Sequence, residues 1–475
     1  MAVRSGAGLR WSLLAISIAW QLPGRPAHAD GAFPDSQNII TPAAIPNEIL
    51  LATNFGLVMS VDAGQTWTWT CEQTQNNFAT LYQLGPPPMN RLFAMSLAGL
   101  IYTDDLSCSW SVATGIATGS TVSDLFPDPS NPARVLAVVA VPADGGTVDY
   151  QVLQSANGGA TFAAQPLYTA AAGDNISGVE ISRSMPATVY LTLTSGPTHL
   201  PKLAQSTNSG STWQLHDLSG HLPAGTNFIR LIAVDPTNPQ KVFLRIRSLG
   251  DGGTTEGVAV TTDGGATASV TLSFPGGILS AFTLMSSGTI MLGGVVGTTN
   301  VAYTSADGGG TFQPVTTPQP SFRGLSSRGG TLFVVADNQA DGYAVGTSTD
   351  LGKTWTPLMA YEDIQAIQTC LMSFCQTDCL TRAGAGQWSP DMCSATPSPL
   401  PVDAGADAHA GGTGGAAGGT TGHAGTGGDA SVPPGGKSGG GCHCAAAGAA
   451  APGPWALGGL GIALALGLRR RRRGR

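Results

Sequence analysis

The chain has 475 residues, room for two or three ordinary domains, yet 66 glycines, 32 prolines and only 11% charged residues set it apart from a helical or α/β enzyme. Its formal charge is −7, and setting aside the nine terminal arginines (Arg4, Arg10, Arg25, residues 469–473 and Arg475) leaves 13 basic against 29 acidic residues, or −16. Such a body repels phosphate backbones and argues against a nucleic-acid partner, leaving cations, neutral glycans and proteins open.

Residues 1–29 place Arg4 and Arg10 before an apolar run over 11–20, followed by Ala27-His28-Ala29, a small-x-small pattern that signal peptidase accepts. Ten apolar residues are too few for a stable membrane span. The expectation is export, with cleavage after Ala29.

From about residue 45 to 360, short runs of Val, Thr, Leu and Ile recur between Gly, Asp, Asn and Pro clusters, and long amphipathic helical patterns are nearly absent. Within this all-β stretch one eight-residue pattern returns: Ser or Thr, any residue, Asp or Asn, any residue, Gly, any residue, Thr, aromatic. It is cleanest at Ser60-Val61-Asp62-Ala63-Gly64-Gln65-Thr66-Trp67 and Ser348-Thr349-Asp350-Leu351-Gly352-Lys353-Thr354-Trp355. Variants begin at Ser155 (Asn157, Phe162), Ser206 (Asn208, Trp213) and Ser305 (Asp307, Phe312). Weaker copies begin at Thr103 (Asp105, with Ser107 in the Gly place) and Thr261 (Asp263, with Ala268 in the aromatic place). The carboxylate or amide accepts backbone N–H bonds inside a hairpin turn, the glycine takes a positive φ, and the aromatic packs inward, contributing about 1.5 to 3 kcal/mol when fully buried.

The seven starts are 43 to 55 residues apart, with a mean of 48, which suits one four-stranded blade each. In the fourth unit residues 176–182, 188–195, 202–207 and 213–217 read as its four strands. An echo, Asp128-Pro129-Ser130-Asn131-Pro132 and Asp235-Pro236-Thr237-Asn238-Pro239, falls between the first and second strands of units 3 and 5. Ring closure offers two segments for the first blade: the proline-broken residues 38–46 and the uninterrupted residues 363–368.

These repeats resemble the Asp-box, or bacterial neuraminidase repeat, of sialidases, sortilin-type receptors, some glycanases and photosystem assembly factors. The resemblance implies an all-β fold, a single seven-bladed β-propeller of four-stranded antiparallel blades over residues 30–369. It also implies that Asp62, Asp105, Asn157, Asn208, Asp263, Asp307 and Asp350 are structural, on outer hairpins far from the central channel. Sialidases of this kind use an arginine triad with one member in an Arg-Ile-Pro stretch before the first repeat. Here Ile45-Pro46 follows Ala44, and the chain after Ala29 has no arginine before Arg91, so sialidase activity is not expected.

Eight cysteines follow the same order along the chain. In an exported protein Cys71, Cys108, Cys370, Cys375, Cys379 and Cys393 are disulfide candidates. Cys71, at the end of blade 1, and Cys108, in the repeat of blade 2, are the expected pair. The cluster over residues 370–395 is expected to staple a short helical appendage. Zinc is the competing reading for that cluster, though its spacing lacks paired C-x-x-C knuckles.

Residues 396–441, dominated by Gly, Ala, Ser, Thr and Pro, read as a disordered tether reaching about 35 to 40 Å. Residues 442–475 then give Cys442-His443-Cys444, an apolar run over 445–468 and five consecutive arginines. That order resembles the MYXO-CTERM sorting signal of myxobacterial surface proteins, which implies attachment to the outer envelope through Cys442 or Cys444. A permanent single-pass membrane anchor is the alternative, with the arginines held on the cytoplasmic side.

Function is expected in loops at the channel mouth, where blades converge. Asp124, Glu180 and Arg230 fall on or near the inner strands of blades 3, 4 and 5, and a buried Glu180–Arg230 ion pair is expected. No metal signature, phosphate loop or nucleophile elbow is present, so no cofactor is expected. These features point to an exported, cell-surface-anchored, monomeric propeller that binds a protein or glycan and meets the membrane through its tail. The alternative is a secreted glycoside hydrolase of a non-sialidase type using carboxylates at the channel mouth.

Overall fold

The computed structural model describes residues 35–76, 79–250 and 253–396. The signal segment with its cleavage after Ala29, residues 397–441 of the tether, and the sorting segment with Cys442 and Cys444 lie outside the described residues. Among the described residues no helix is long and apolar enough to cross a membrane.

Seven antiparallel sheets follow one another along the chain, each made of four consecutive strands, and form the blades of a β-propeller. Their first strands are Ser36–Ile40, Ala79–Leu84, Thr121–Pro127, Asn175–Ile181, Thr226–Val234, Gly277–Leu284 and Gly324–Arg328. The fourth blade is Asn175–Ile181, Val189–Thr194, Pro201–Ser206 and Gln214–Asp217, within one residue of the sequence reading at nearly every boundary.

Second strands are apolar on both faces because each blade stacks between two others. Val135–Pro142 (VLAVVAVP) buries its first five residues without alternation, and Val189–Thr194 buries its first five likewise. Fourth strands sit on the perimeter and are short; Ser111–Val112 and Gln313–Pro314 are two residues each and exposed. Short outer strands leave little unpaired edge.

Both segments considered for closure join blade 1, on opposite edges. Ser36–Ile40 is its inner strand, pairing antiparallel with Ile49–Thr53, because the strand ends before Pro42 and Pro46 can interrupt it. Residues 363–368 do not supply an inner strand. The chain leaves blade 7 from its outer strand, Thr356–Met359, already at the perimeter, so Ala366–Ile367 adds as a fifth, outermost strand parallel to Thr68–Cys71.

The cysteine pairing differs from the expected one. Cys71 bonds Cys375, Cys108 bonds Cys370, and Cys379 bonds Cys393. Cys71 and Cys108 do lie on touching segments, since the hydroxyls of Thr70 and Ser107 are 3.2 Å apart. Each thiol instead meets the segment that crosses the blade 1–blade 2 junction, leading into the helix Met372–Gly384. That helix shares a core with blade 1: the Trp388 ring is 5.0 Å from Trp69, and Phe55 stacks edge-on to Tyr361 at 5.0 Å. The four cysteines of the cluster are therefore sulfur-bonded, which overturns the zinc alternative.

Candidate functional site

The seven Asp or Asn residues of the repeat lie in the turns between third and fourth strands, and all close the same small network. The leading hydroxyl accepts the N–H of the fifth residue, as from Gly64 to Ser60 at 2.8 Å and from Gly352 to Ser348 at 2.9 Å. It also donates to the third-position oxygen, as Ser60 to Asp62 and Ser155 to Asn157, both at 2.8 Å. That oxygen accepts the N–H of the seventh residue at 2.9 to 3.0 Å in every copy. Burial raises the Asp62 carboxyl, but bonds from Thr66, Ser60 and Gln65 outweigh it and hold it below the usual range.

The glycine of the repeat does more than allow a turn. A methyl group at Gly159 would come within 2.4 Å of Phe93 in blade 2, and one at Gly309 within 2.6 Å of Phe243 in blade 5. In the six turns that carry this glycine, it sits against the preceding blade. The position before it is also left-handed, including Leu106 (φ 54°) and Leu351 (φ 61°), a feature the pattern leaves unmarked. Asp62→Ala is expected to lower stability by about 1 to 2 kcal/mol, whereas Asp62→Asn, the residue used at 157 and 208, should retain most of it. Equal losses in urea unfolding of the two variants would contradict this role.

The channel opens where the inner strands end. A cavity of about 820 Å³ is lined by residues from the strand ends of blades 1 and 3 to 7. An adjoining hollow of about 540 Å³ adds blade 2 through residues such as Tyr82, Gly85 and Pro87. Antiparallel order puts first-strand and third-strand ends on one face, so this mouth shares its face with the repeat turns, which stand at the perimeter. The Asp-Pro turns bring Pro129 and Pro236 to its wall. Phe126, Phe282, Thr283 and Ser327 supply apolar rings and hydroxyls, and Glu180, Arg183 and Arg328 are its charged groups.

The expected Glu180–Arg230 pair is not formed. Arg230 lies 3.5 Å from Asp124, and Glu180 accepts the Val234 N–H at 2.8 Å. One rule explains both acids: each reaches across to a backbone N–H of the next blade's inner strand. Asp124 of blade 3 holds Val179 of blade 4 at 2.9 Å, and Glu180 of blade 4 holds Val234 of blade 5. Glu256 of blade 5 holds Leu279 of blade 6 at 2.9 Å, and also takes three bonds from the Arg245 guanidinium at 2.6 to 3.0 Å. Sequence reasoning missed Glu256, Arg245, Arg183 and Arg328. The last two stand at or just past inner-strand ends, which the repeat register would have located.

Burial pushes Asp124 up to about 6, against the opposing pull of Arg230. Burial likewise pushes Glu180 up to about 8, with the Val234 N–H opposing and the Asp124 charge adding to the rise. Burial thus favours the neutral acid at Glu180 through neutral pH, while its carbonyl oxygen accepts the Val234 N–H. Raised acids in a cleft are also candidates for proton transfer. Here both have backbone partners that bind blade to blade, a structural use that accounts for their placement.

No family model matches the chain, and no curated protein sequence matches it. Among solved structures, the GH74 enzyme of Niastella koreensis is similar over 68% of this chain and 65% of its own, at 14% identity and TM-score 0.39. The GH74 xyloglucanase of Xanthomonas campestris is similar over 67% and 57%, at 10% identity and TM-score 0.34. The Hadza microbial sialidase is similar over 56% and 65%, at 14% identity and TM-score 0.34. The chain thus spans less than two thirds of the length of each.

Proposed function

We infer that the chain is an exported β-propeller of the Asp-box kind, held at the cell surface by its C-terminal segment, that binds a protein or glycan through the mouth where its inner strands end. The observation that carries this reading is the composition of that mouth. Strand ends of all seven blades meet there, with rings, hydroxyls, glycines and prolines on its wall. Its acid, Glu180, already serves as an inter-blade acceptor. A surface of this kind favours recognition over acid–base turnover. The test is retention of the full-length protein on glycan and peptide arrays, beside the variant Glu180→Gln/Arg183→Ala/Arg328→Ala. Retention lost in the variant supports the reading; retention unchanged by it, or none at all, overturns it.

Anchoring is proposed on the order Cys442, Cys444, apolar run and arginine cluster. Cys442→Ser/Cys444→Ser should leave the propeller folded but move the protein out of the surface fraction. Unchanged surface labelling of intact cells would support a permanent membrane anchor instead. A second reading, hydrolysis of glycosides, rests on the raised Glu180 and Asp124 and is decided by turnover.

A further inference from the structure

Nine arginines lie among the described residues, and six of them have a carboxylate within ion-pair distance. The three that do not are Arg183, Arg247 and Arg328. Arg247 is spread over the Phe228 ring, with its guanidinium carbon 5.0 Å from the centroid. The other two line one and the same cavity, the 820 Å³ mouth. In a chain with more than twice as many acidic as basic residues once the termini are set aside, cations without carboxylate partners are scarce, and two share a single wall.

Their settings suit ligand capture. Arg328 is held in place: one of its N–H groups donates to the Glu48 carbonyl at 2.7 Å, and its guanidinium lies 5.2 Å from the Phe333 centroid. That leaves other N–H donors of the fork for a ligand, with little conformational freedom left to lose. Burial pushes Arg328 below the usual arginine range, a cost that no countercharge offsets. Arg183 stands exposed just beyond the Asn175–Ile181 strand, and Glu180 lines the same wall. The −16 background does not forbid an anion here, because charges more than about 8 Å away are largely screened at physiological ionic strength.

We propose that Arg183 and Arg328 clamp an oxyanion of an acidic polysaccharide, its carboxylate or sulfate, in the channel mouth. This rests on the reading of the mouth as a binding surface and names its ligand class. Half-buried Phe126 and Phe282 offer ring faces for the C–H faces of sugars, and Ser327, whose hydroxyl accepts from Thr283 at 3.1 Å, keeps its own O–H for a ligand. A peptide would be taken by a free strand edge or by side-chain pockets. Each inner strand pairs on one edge only, but its N–H groups at Val179, Val234 and Leu279 are already held by Asp124, Glu180 and Glu256.

Affinity electrophoresis of the full-length protein through gels holding polygalacturonate, dextran sulfate, neutral dextran or poly-L-glutamate tests this. The expected result is retardation by polygalacturonate or dextran sulfate, the responding gel identifying carboxylate or sulfate. Arg183→Ala/Arg328→Ala should weaken it tenfold or more in protein whose circular dichroism shows it still folded, and Arg183→Lys/Arg328→Lys should restore part of it. The proposal is overturned by no retardation in either acidic gel, by retardation that survives the alanine pair, or by equal retardation in poly-L-glutamate. Equal retardation in neutral dextran that the alanine pair abolishes also overturns it, while leaving the mouth as the binding surface.

Discussion

Cys71→Ser/Cys108→Ser/Cys370→Ser/Cys375→Ser is expected to lower the unfolding midpoint of the full-length protein by roughly 5 to 10 °C. The four antiparallel strands of blade 1 come from the start of the ring, and among the described residues the only later strand added to it is the short outer Ala366–Ile367, so no strand of the last blade is exchanged into it. The joint between blades 7 and 1 rests on packing, the short parallel Ala366–Ile367 strand and a few bonds: Thr41 to Ser326 at 2.6 Å, Ser36 to Tyr361 at 2.8 Å, and Arg328 to the Glu48 carbonyl at 2.7 Å. The disulfides Cys71–Cys375 and Cys108–Cys370 span 304 and 262 residues. Constraining the unfolded chain over the longer loop contributes about 5 to 6 kcal/mol by the chain-entropy relation. The second then closes a smaller circuit, residues 71–108 with 370–375, and adds about 4 kcal/mol at most. Native-state relaxation reduces the sum, so about 4 to 8 kcal/mol is the expected loss. Calorimetry with and without reductant measures it, and a midpoint unchanged in the fourfold variant would show that packing alone closes the ring.

Glu180→Gln is expected to stabilise the protein at pH 9 by about 2 to 4 kcal/mol relative to the unsubstituted chain, with the difference shrinking toward zero near pH 5. The sign follows from the raised carboxyl. An unfolded glutamate ionises near its ordinary 4.5, whereas in the fold Glu180 keeps its proton up to about 8. Stability is fully present below 4.5, declines as pH rises between those values, and is lost through the folded pKa of about 8. Asp124, raised from 3.8 to about 6, adds a decline of the same sign over a lower window, common to both proteins. The expected gain is set below the full value of the shift because Glu180 borders the water of the mouth. Glutamine keeps an acceptor for the Val234 N–H, so the comparison isolates the charge. Urea unfolding at pH 5, 7 and 9 provides it; a difference that stays constant with pH, or a less stable variant at pH 9, would contradict the burial of this acid.

The blades were legible because their marks are local. The repeat closes its hydrogen bonds within eight residues, Ser60 to Asp62 to Thr66 being the pattern of all seven, and its spacing sets the register of the strands around it. What escaped depends on chain segments far apart in sequence. Cys71 and Cys108 are on touching blades, but their partners are fixed by where the chain travels after blade 7. Glu180 was drawn to Arg230 by charge, yet its partner is a backbone N–H at Val234, which carries no side-chain mark. The site was half legible for the same reason. Inner-strand positions of Asp124, Glu180 and Arg230 follow from the repeat, while the convergence of Arg183 and Arg328 on one cavity needs the closed ring.

The most direct measurement is of turnover and binding on the same sample: release of reducing ends from acidic and neutral polysaccharides by the full-length protein, beside its retention on the same polymers. The expected result is retention without release, together with no fluorophore release from a sialoside, since Asp124 and Glu180 are committed to the Val179 and Val234 N–H groups. Release of reducing ends that disappears in Glu180→Gln would contradict it and make the mouth a glycosidase site.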